Sequence, residues 1–232
     1  MELPFNAAHT ERYSLISLIR TLEHVADPVP LLIDLASRLA PGGRIVIQVP
    51  TYTMNPFDLA IADHLSHFTA QSLADLAARC GLTVVLGPEE LVRKELTLVL
   101  AVDSSGLPRA ERAPKAVSTG SVFDFSSSVH FLATWLNLVD TFAEAREAPM
   151  VFGSSISASW IISALGREGT TASLLFDDDP NRIGGQFRGI PIRSPESQSL
   201  PAQRVLVPLV PSIATTVAAR LGERGLHCAY VR

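Results

Sequence analysis

Apolar positions along the chain come in short blocks whose spacing alternates between that of a strand and that of a helix. Residues 11–19 (E-R-Y-S-L-I-S-L-I) become apolar toward their end and predict a strand. Thr21-Leu22-Glu23-His24-Val25-Ala26-Asp27-Pro28 then reads as a turn leading to a helix that starts near Pro30. In it Leu31, Leu32, Leu35 and Leu39 recur at helical spacing, and Pro41-Gly42-Gly43 is expected to stop it. Residues 44–49 are apolar apart from Arg44 and Gln48, rich in Ile and Val, and bounded by Gly42-Gly43 and Pro50. They predict a buried strand that ends at Pro50, because proline supplies no ladder donor. The three elements form a β-α-β unit with a right-handed crossover.

Thr69 is placed to cap a helix over 70–80, with Leu73, Leu76 and Ala77 on one face and Gly81 at its end. Two strands come next, at 82–86 and 96–102, separated at Gly87-Pro88, and they read as an antiparallel edge pair. From Ser104 to Ser128 the chain is rich in Ser, Pro, Ala and Gly without periodicity, and predicts a linker. A bridging helix over 129–146 carries Leu132, Trp135, Leu136, Val139 and Phe142 on one side, and Trp135, Phe131 and Phe142 read as its core.

A second α/β unit begins at Pro149, with strands at 150–153, 172–176, 204–209 and 227–231. Helices at 157–165 and 212–221 alternate with them, and a short β excursion is punctuated by Gly184-Gly185 and Gly189-Ile190-Pro191-Ile192. No period of 20 to 50 residues repeats. The expected organisation is residues 1–102 as a first α/β domain, 103–148 as linker and bridging helix, and 149–232 as a second Rossmann-like domain.

Composition narrows the function. Of 232 residues, 47% are hydrophobic and 18% charged, which suits globular domains. The net charge of −4 argues against a nucleic-acid partner, since no basic face offers counterion release. Apolar runs such as Trp160-Ile161-Ile162 are too short to span a bilayer, and the first residues carry no basic-then-apolar leader, so a cytoplasmic location and no membrane partner are expected. Cys80 and Cys228 are far apart, imply neither zinc pair nor disulfide framework, and read as free buried thiols.

In open α/β sheets ligands bind beyond the carboxyl ends of the strands. The loop after Pro50 lies there, and it carries Asp63, His64 and His67. His64 and His67, three residues apart, have only Asp63 nearby as a third ligand, so no metal is expected. In the second unit Gly153-Ser154-Ser155-Ile156-Ser157-Ala158 is a degenerate G-x-G-x-x-G, with Asp177 at the distance of a ribose-binding acid. Ser155 would crowd a pyrophosphate, so the turn suits a nucleotide-sugar phosphate held by helix amides better than a dinucleotide; a bare turn is the other reading. Asp177-Asp178-Asp179 lacks further acids at the spacing of a calcium loop.

Three segments, Thr21 to Pro28, Leu39-Ala40-Pro41-Gly42-Gly43-Arg44 and Asp63-His64-Leu65-Ser66-His67-Phe68, resemble the C-terminal half of a class I S-adenosylmethionine-dependent methyltransferase. They correspond to the stretch after strand four, the stretch before strand five and the substrate loop after strand five. Val151-Phe152-Gly153-Ser154-Ser155, the run from Asp177 to Gly184 and Gly189-Ile190-Pro191 are similar to the C-terminal domain of sugar C-methyltransferases. The resemblance implies a methyl group passed from S-adenosylmethionine to a nucleotide-sugar carbon, in polysaccharide or nucleotide-sugar metabolism. In that family an acid–histidine pair in this loop removes the proton next to a ketone, with Glu where this chain has Asp63. It implies His64 and Asp63 as catalytic, Leu22, Glu23 and His24 at the cofactor, and His67, Gly153, Ser154, Ser155 and Asp177 toward the substrate. His64 as a structural histidine near the Thr69 cap, and Glu23-His24 as a mere turn, are the alternatives.

The chain departs from that pattern. The glycine-rich loop after strand one, the acid after strand two and the Cys-rich zinc module are missing from it, so binding of S-adenosylmethionine by this chain alone is in doubt. A truncated, inactive member is therefore one expectation, and a non-catalytic nucleotide-sugar-binding or assembly module is the alternative function. A homo-oligomer or a partner chain is expected to cover the open sheet edge.

Overall fold

The computed structural model describes residues 11–102, 123–197 and 204–232. The chain divides into two compact units, Met1–Val122 and Phe123–Arg232. Most of the expected linker lies outside the described residues.

The first unit is a four-stranded sheet in the order β1-β2-β4-β3, from β1 (Tyr13–Ile19), β2 (Leu39–Pro50), β3 (Leu82–Val92) and β4 (Glu95–Val102). β1 and β2 are parallel and joined by α1 (Pro28–Ser37), whereas β4 runs antiparallel to both of its neighbours. Alternation along β2 decides which face is core. Ile45, Ile47 and Val49 are fully buried, while Val46 and Gln48 on the other face are half-buried. On β4, Leu96, Leu98 and Leu100 continue the same layer at 0% exposure, with Leu32 and Leu35 of α1 and Leu73 of α2 (Ala70–Arg79) packed over it. Full burial of one such side chain contributes about 1.5–3 kcal/mol.

Several boundaries differ from the expectation. α1 starts two residues earlier, at Pro28, because the Asp27 carboxylate caps it by accepting from Val29 N at 3.3 Å. It ends at Ser37, before Pro41-Gly42-Gly43, with Arg38 paired back to Asp34. Leu39 therefore belongs to β2, opposite Tyr13, and the Pro-Gly-Gly segment lies inside the strand where the register with β1 shifts. Gly43 has no room for a side chain there, since a Cβ would sit 2.8 Å from the Tyr13 carbonyl oxygen. Gly87-Pro88 likewise lies within β3, and the hairpin turns later, at Arg93-Lys94. At Gly87 φ is +78°, and a Cβ would fall 2.2 Å from the Thr97 carbonyl oxygen, so only glycine lets β3 bend over β4. The helix after Thr69 forms as expected, with Thr69 and Ser72 capping each other reciprocally. β1 is an edge strand, and Leu15 and Ile19 are exposed on it.

In the second unit a six-stranded sheet has the order β10-β9-β5-β6-β8-β7, parallel except for the short β7. Its strands are β5 (Met150–Phe152), β6 (Leu174–Phe176), β7 (Gln186–Phe187), β8 (Ile190–Arg193), β9 (Arg204–Leu206) and β10 (His227–Ala229). α3 (Phe125–Glu144), α4 (Ile156–Arg167) and α5 (Pro211–Gly222) complete it. α3 starts earlier than expected because Asp124 and Ser127 form a capping box. Its buried stripe is Phe131, Trp135, Val139 and Phe142, while Leu136 faces outward. Both units are thus α/β, as the hydrophobic pattern predicts. Cys80 and Cys228 are free but only half-buried. No helix among the described residues is long and apolar enough to cross a membrane.

Candidate functional site

β2 ends at Pro50, and the chain turns at once. Thr51, fully buried, donates through Oγ1 to the Phe68 carbonyl at 2.7 Å and so closes the loop between β2 and α2 on itself. Inside that loop a 3-10 turn, Pro56–Ala60, buries Phe57 and Asp58. A second tie joins this loop to the one after β1: the Glu23 carbonyl accepts from the amides of Leu65 (2.7 Å) and Ser66 (3.1 Å). The residue before them, His64, is thereby held against the turn Leu22–His24.

Asp58 is the hub of the cluster. It is 2% exposed, and its Oδ1 accepts from His64 Nδ1 at 2.8 Å while Oδ2 accepts from His67 Nδ1 at 3.0 Å. With Nδ1 as the donor on both rings, the Nε2 lone pairs are free to take a proton or a ligand. His24 is set the same way, its Nδ1 donating to the Asp63 carbonyl oxygen at 2.9 Å. The rings of His24 and His64 meet edge-on with centroids 5.0 Å apart. Beneath them Glu23 is 1% exposed, and its Oε2 has no hydrogen-bond partner among the described residues. Burial pushes the Glu23 carboxyl above its ordinary pKa, against the pull of its own backbone amide and of His24 and His64.

The expected pairing of His64 with Asp63 is corrected by this geometry. The Asp63 side chain is 76% exposed and stands 3.5 Å from His24, not against His64. The Asp63 side chain faces solvent, whereas Asp58, six positions before His64, is buried within the 3-10 turn. The sequence reading missed Asp58. Its signal was an acid between Phe57 and Leu59, in an otherwise apolar turn after Pro56. The expectation that only Asp63 lies near the two histidines is corrected too, since Asp58 lies beside both and Glu23 and His24 lie beside His64.

Of the residues expected at S-adenosylmethionine, Leu22 and Glu23 are buried, and the Glu23 carbonyl is already used twice. Only His24, with 36% of its side chain exposed, is open to a cofactor. These residues fit that group at one contact, the His24 imidazole.

In the second unit Gly153 turns the chain from β5 into α4 with φ +89°. The Asp177 carboxylate is tied into that turn on both of its oxygens. Its Oδ2 accepts from the amide (3.0 Å) and hydroxyl of Ser154, and its Oδ1 from the Asp179 amide at 3.0 Å. Arg182 closes the set, donating to Ser154 Oγ at 3.1 Å. Although burial pushes Asp177 upward, these bonds and the Arg182 charge together hold its carboxyl below the usual range. Ser154 and Asp177 are therefore structural partners within the turn. Ser155 lies at the start of α4, its hydroxyl 3.1 Å from that of Ser157.

Residues 3–86 match the model of a methyltransferase domain family, a span from before β1 into β3 that includes the whole Asp58–His64–Glu23 cluster. No curated protein matches the chain. The match supports a class I methyltransferase domain in the first unit, and methyl transfer as its general activity.

Proposed function

We propose that the first unit serves methyl transfer from S-adenosylmethionine to a carbon next to a ketone of a nucleotide sugar, with His64 as the general base. The observation that carries this is the 2.8 Å bond from His64 Nδ1 to buried Asp58. It fixes the ring and leaves Nε2 as the acceptor, and it stabilises the imidazolium that forms once a proton is taken. Proton removal by His64 leaves the substrate nucleophilic at the carbon next to the ketone. When bound, the cofactor supplies the methyl as an electrophile. His67, held on the other Asp58 oxygen, is the wall of the acceptor pocket in this reading.

The base is testable without the cofactor. A nucleotide keto-sugar incubated with the chain in heavy water and a chelator should exchange the proton next to its ketone, monitored by proton NMR. His64→Ala should abolish that exchange. Absence of exchange with the folded wild-type chain, or equal exchange by His64→Ala, removes the base from the reading. Calorimetry with S-adenosylmethionine then asks separately whether this chain holds the cofactor.

A further inference from the structure

We infer that Glu23, His24 and His64 form a site for one divalent transition-metal ion of the zinc class. One ligand atom from each of the three lies within 4.8 Å of the other two. The donor set is two imidazoles and one carboxylate, a combination that suits such ions.

Two observations set this cluster apart from a chance gathering of polar groups. First, both histidines are oriented from behind. His64 Nδ1 donates to buried Asp58 and His24 Nδ1 to the Asp63 carbonyl, the outer-shell arrangement that fixes Nε2 as the metal-binding nitrogen. Second, the Glu23 side chain is 2% exposed and its Oε2 is unpartnered among the described residues. A buried carboxylate oxygen without a donor is a partner short. Its Oε1 lies 4.0 Å from His24 Nε2, a separation that a cation between the two would bridge.

The neighbouring triad of Asp58, His64 and His67 does not share this property. Both Asp58 oxygens are engaged at hydrogen-bond distance, so it acts as the support behind His64 and not as the site.

The ion takes the same His64 nitrogen that removes a proton in the proposed reaction. Metal and base therefore exclude each other on that atom, and a bound ion silences proton abstraction. The metal site itself does not rest on the methyl-transfer reading, because it is read with neither sugar nor S-adenosylmethionine present.

The experiment is a titration of the chelator-stripped chain with cobalt(II), monitored by visible absorption and by competition with zinc. One cobalt ion per chain, displaced by zinc, is expected. Glu23→Gln and His24→Ala should each weaken binding at least about tenfold, and Asp58→Asn by about 10- to 100-fold, as for other outer-shell partners. His67→Ala should bind like wild type. NMR of the zinc-loaded wild-type chain, which needs no variant, should shift Nε2 of His24 and His64 and not of His67. No saturable binding by folded chain overturns the inference. So does binding that survives Glu23→Gln and His24→Ala, or that moves the His67 signals instead. Metal failure with intact proton exchange sinks this site alone, and the reverse result sinks only the base.

Discussion

Asp58 and His64, six residues apart in sequence, meet through a 2.8 Å bond from imidazole Nδ1 to a carboxylate that is almost wholly buried. The second oxygen of the same carboxylate holds His67, so one acid sets the tautomer of two rings. Among the described residues, Glu23, His24 and His67 gather around that pair.

If His64 is the base, its replacement by alanine should lower proton exchange at the ketone-adjacent carbon by roughly 10²- to 10⁴-fold. Asp58→Asn should move in the same direction, and the NMR signature of His64 should lose its fixed Nδ1–H form. Asp63→Asn should show the smaller loss of the two acids, because its carboxylate points to solvent. A larger loss for Asp63 would restore the adjacent pair.

Leu98 sits opposite Ile47 at the centre of the first sheet, and both are fully buried. Leu98→Ala should cost about 2–5 kcal/mol, by transfer and by the cavity left behind. Urea denaturation measures it, and a loss below about 1 kcal/mol would mean that the layer is not tightly packed.

Gly87 is required by backbone and not by sequence pattern. Gly87→Ala should destabilise by at least about 1–3 kcal/mol from its positive φ alone, with the approach to the Thr97 carbonyl added. Gly81→Ala, also at positive φ but with open space around it, should cost less. Comparing the two melting temperatures isolates the clash.

Asp177 makes the second unit sensitive to acid. Its folded pKa lies below the ordinary value of about 3.9, so the stability it contributes is complete above that value and is lost as pH falls through the folded one. Asp177→Asn should therefore cost about 1–3 kcal/mol at pH 7. The gap from wild type should close as pH drops below about 4. Denaturation curves at neutral and acid pH check this, and a gap that widens on acidification contradicts it.

Local chemistry made most of the elements readable from the chain alone. Thr69 names its own helix start because its hydroxyl needs only the Ser72 amide, and the alternation of Ile45, Ile47 and Val49 marks a strand with one dry face. The α/β class derives from the order of such blocks. Pro41-Gly42-Gly43 and Gly87-Pro88 misled for the same reason in each case. A glycine that ends an element and one that lets a strand bulge past its neighbour look alike until the neighbour, Tyr13 or Thr97, is in place.

The site was half legible. Loop and histidines could be located, because a buried strand ending in proline puts the next loop at the sheet's carboxyl end. Their partners could not. Which acid serves His64 depends on which way each residue of the loop turns, and the burial of Phe57 and Asp58 settles that by giving the turn's inward direction to them. Likewise Asp177 sits at the spacing of a ligand-binding acid, yet its oxygens go to Ser154 and Asp179. Residue types and local propensity specify elements, since those depend on neighbours within a few positions. Hydrogen-bond partners across a loop depend on the packing of the whole unit, and only the folded chain assigns them.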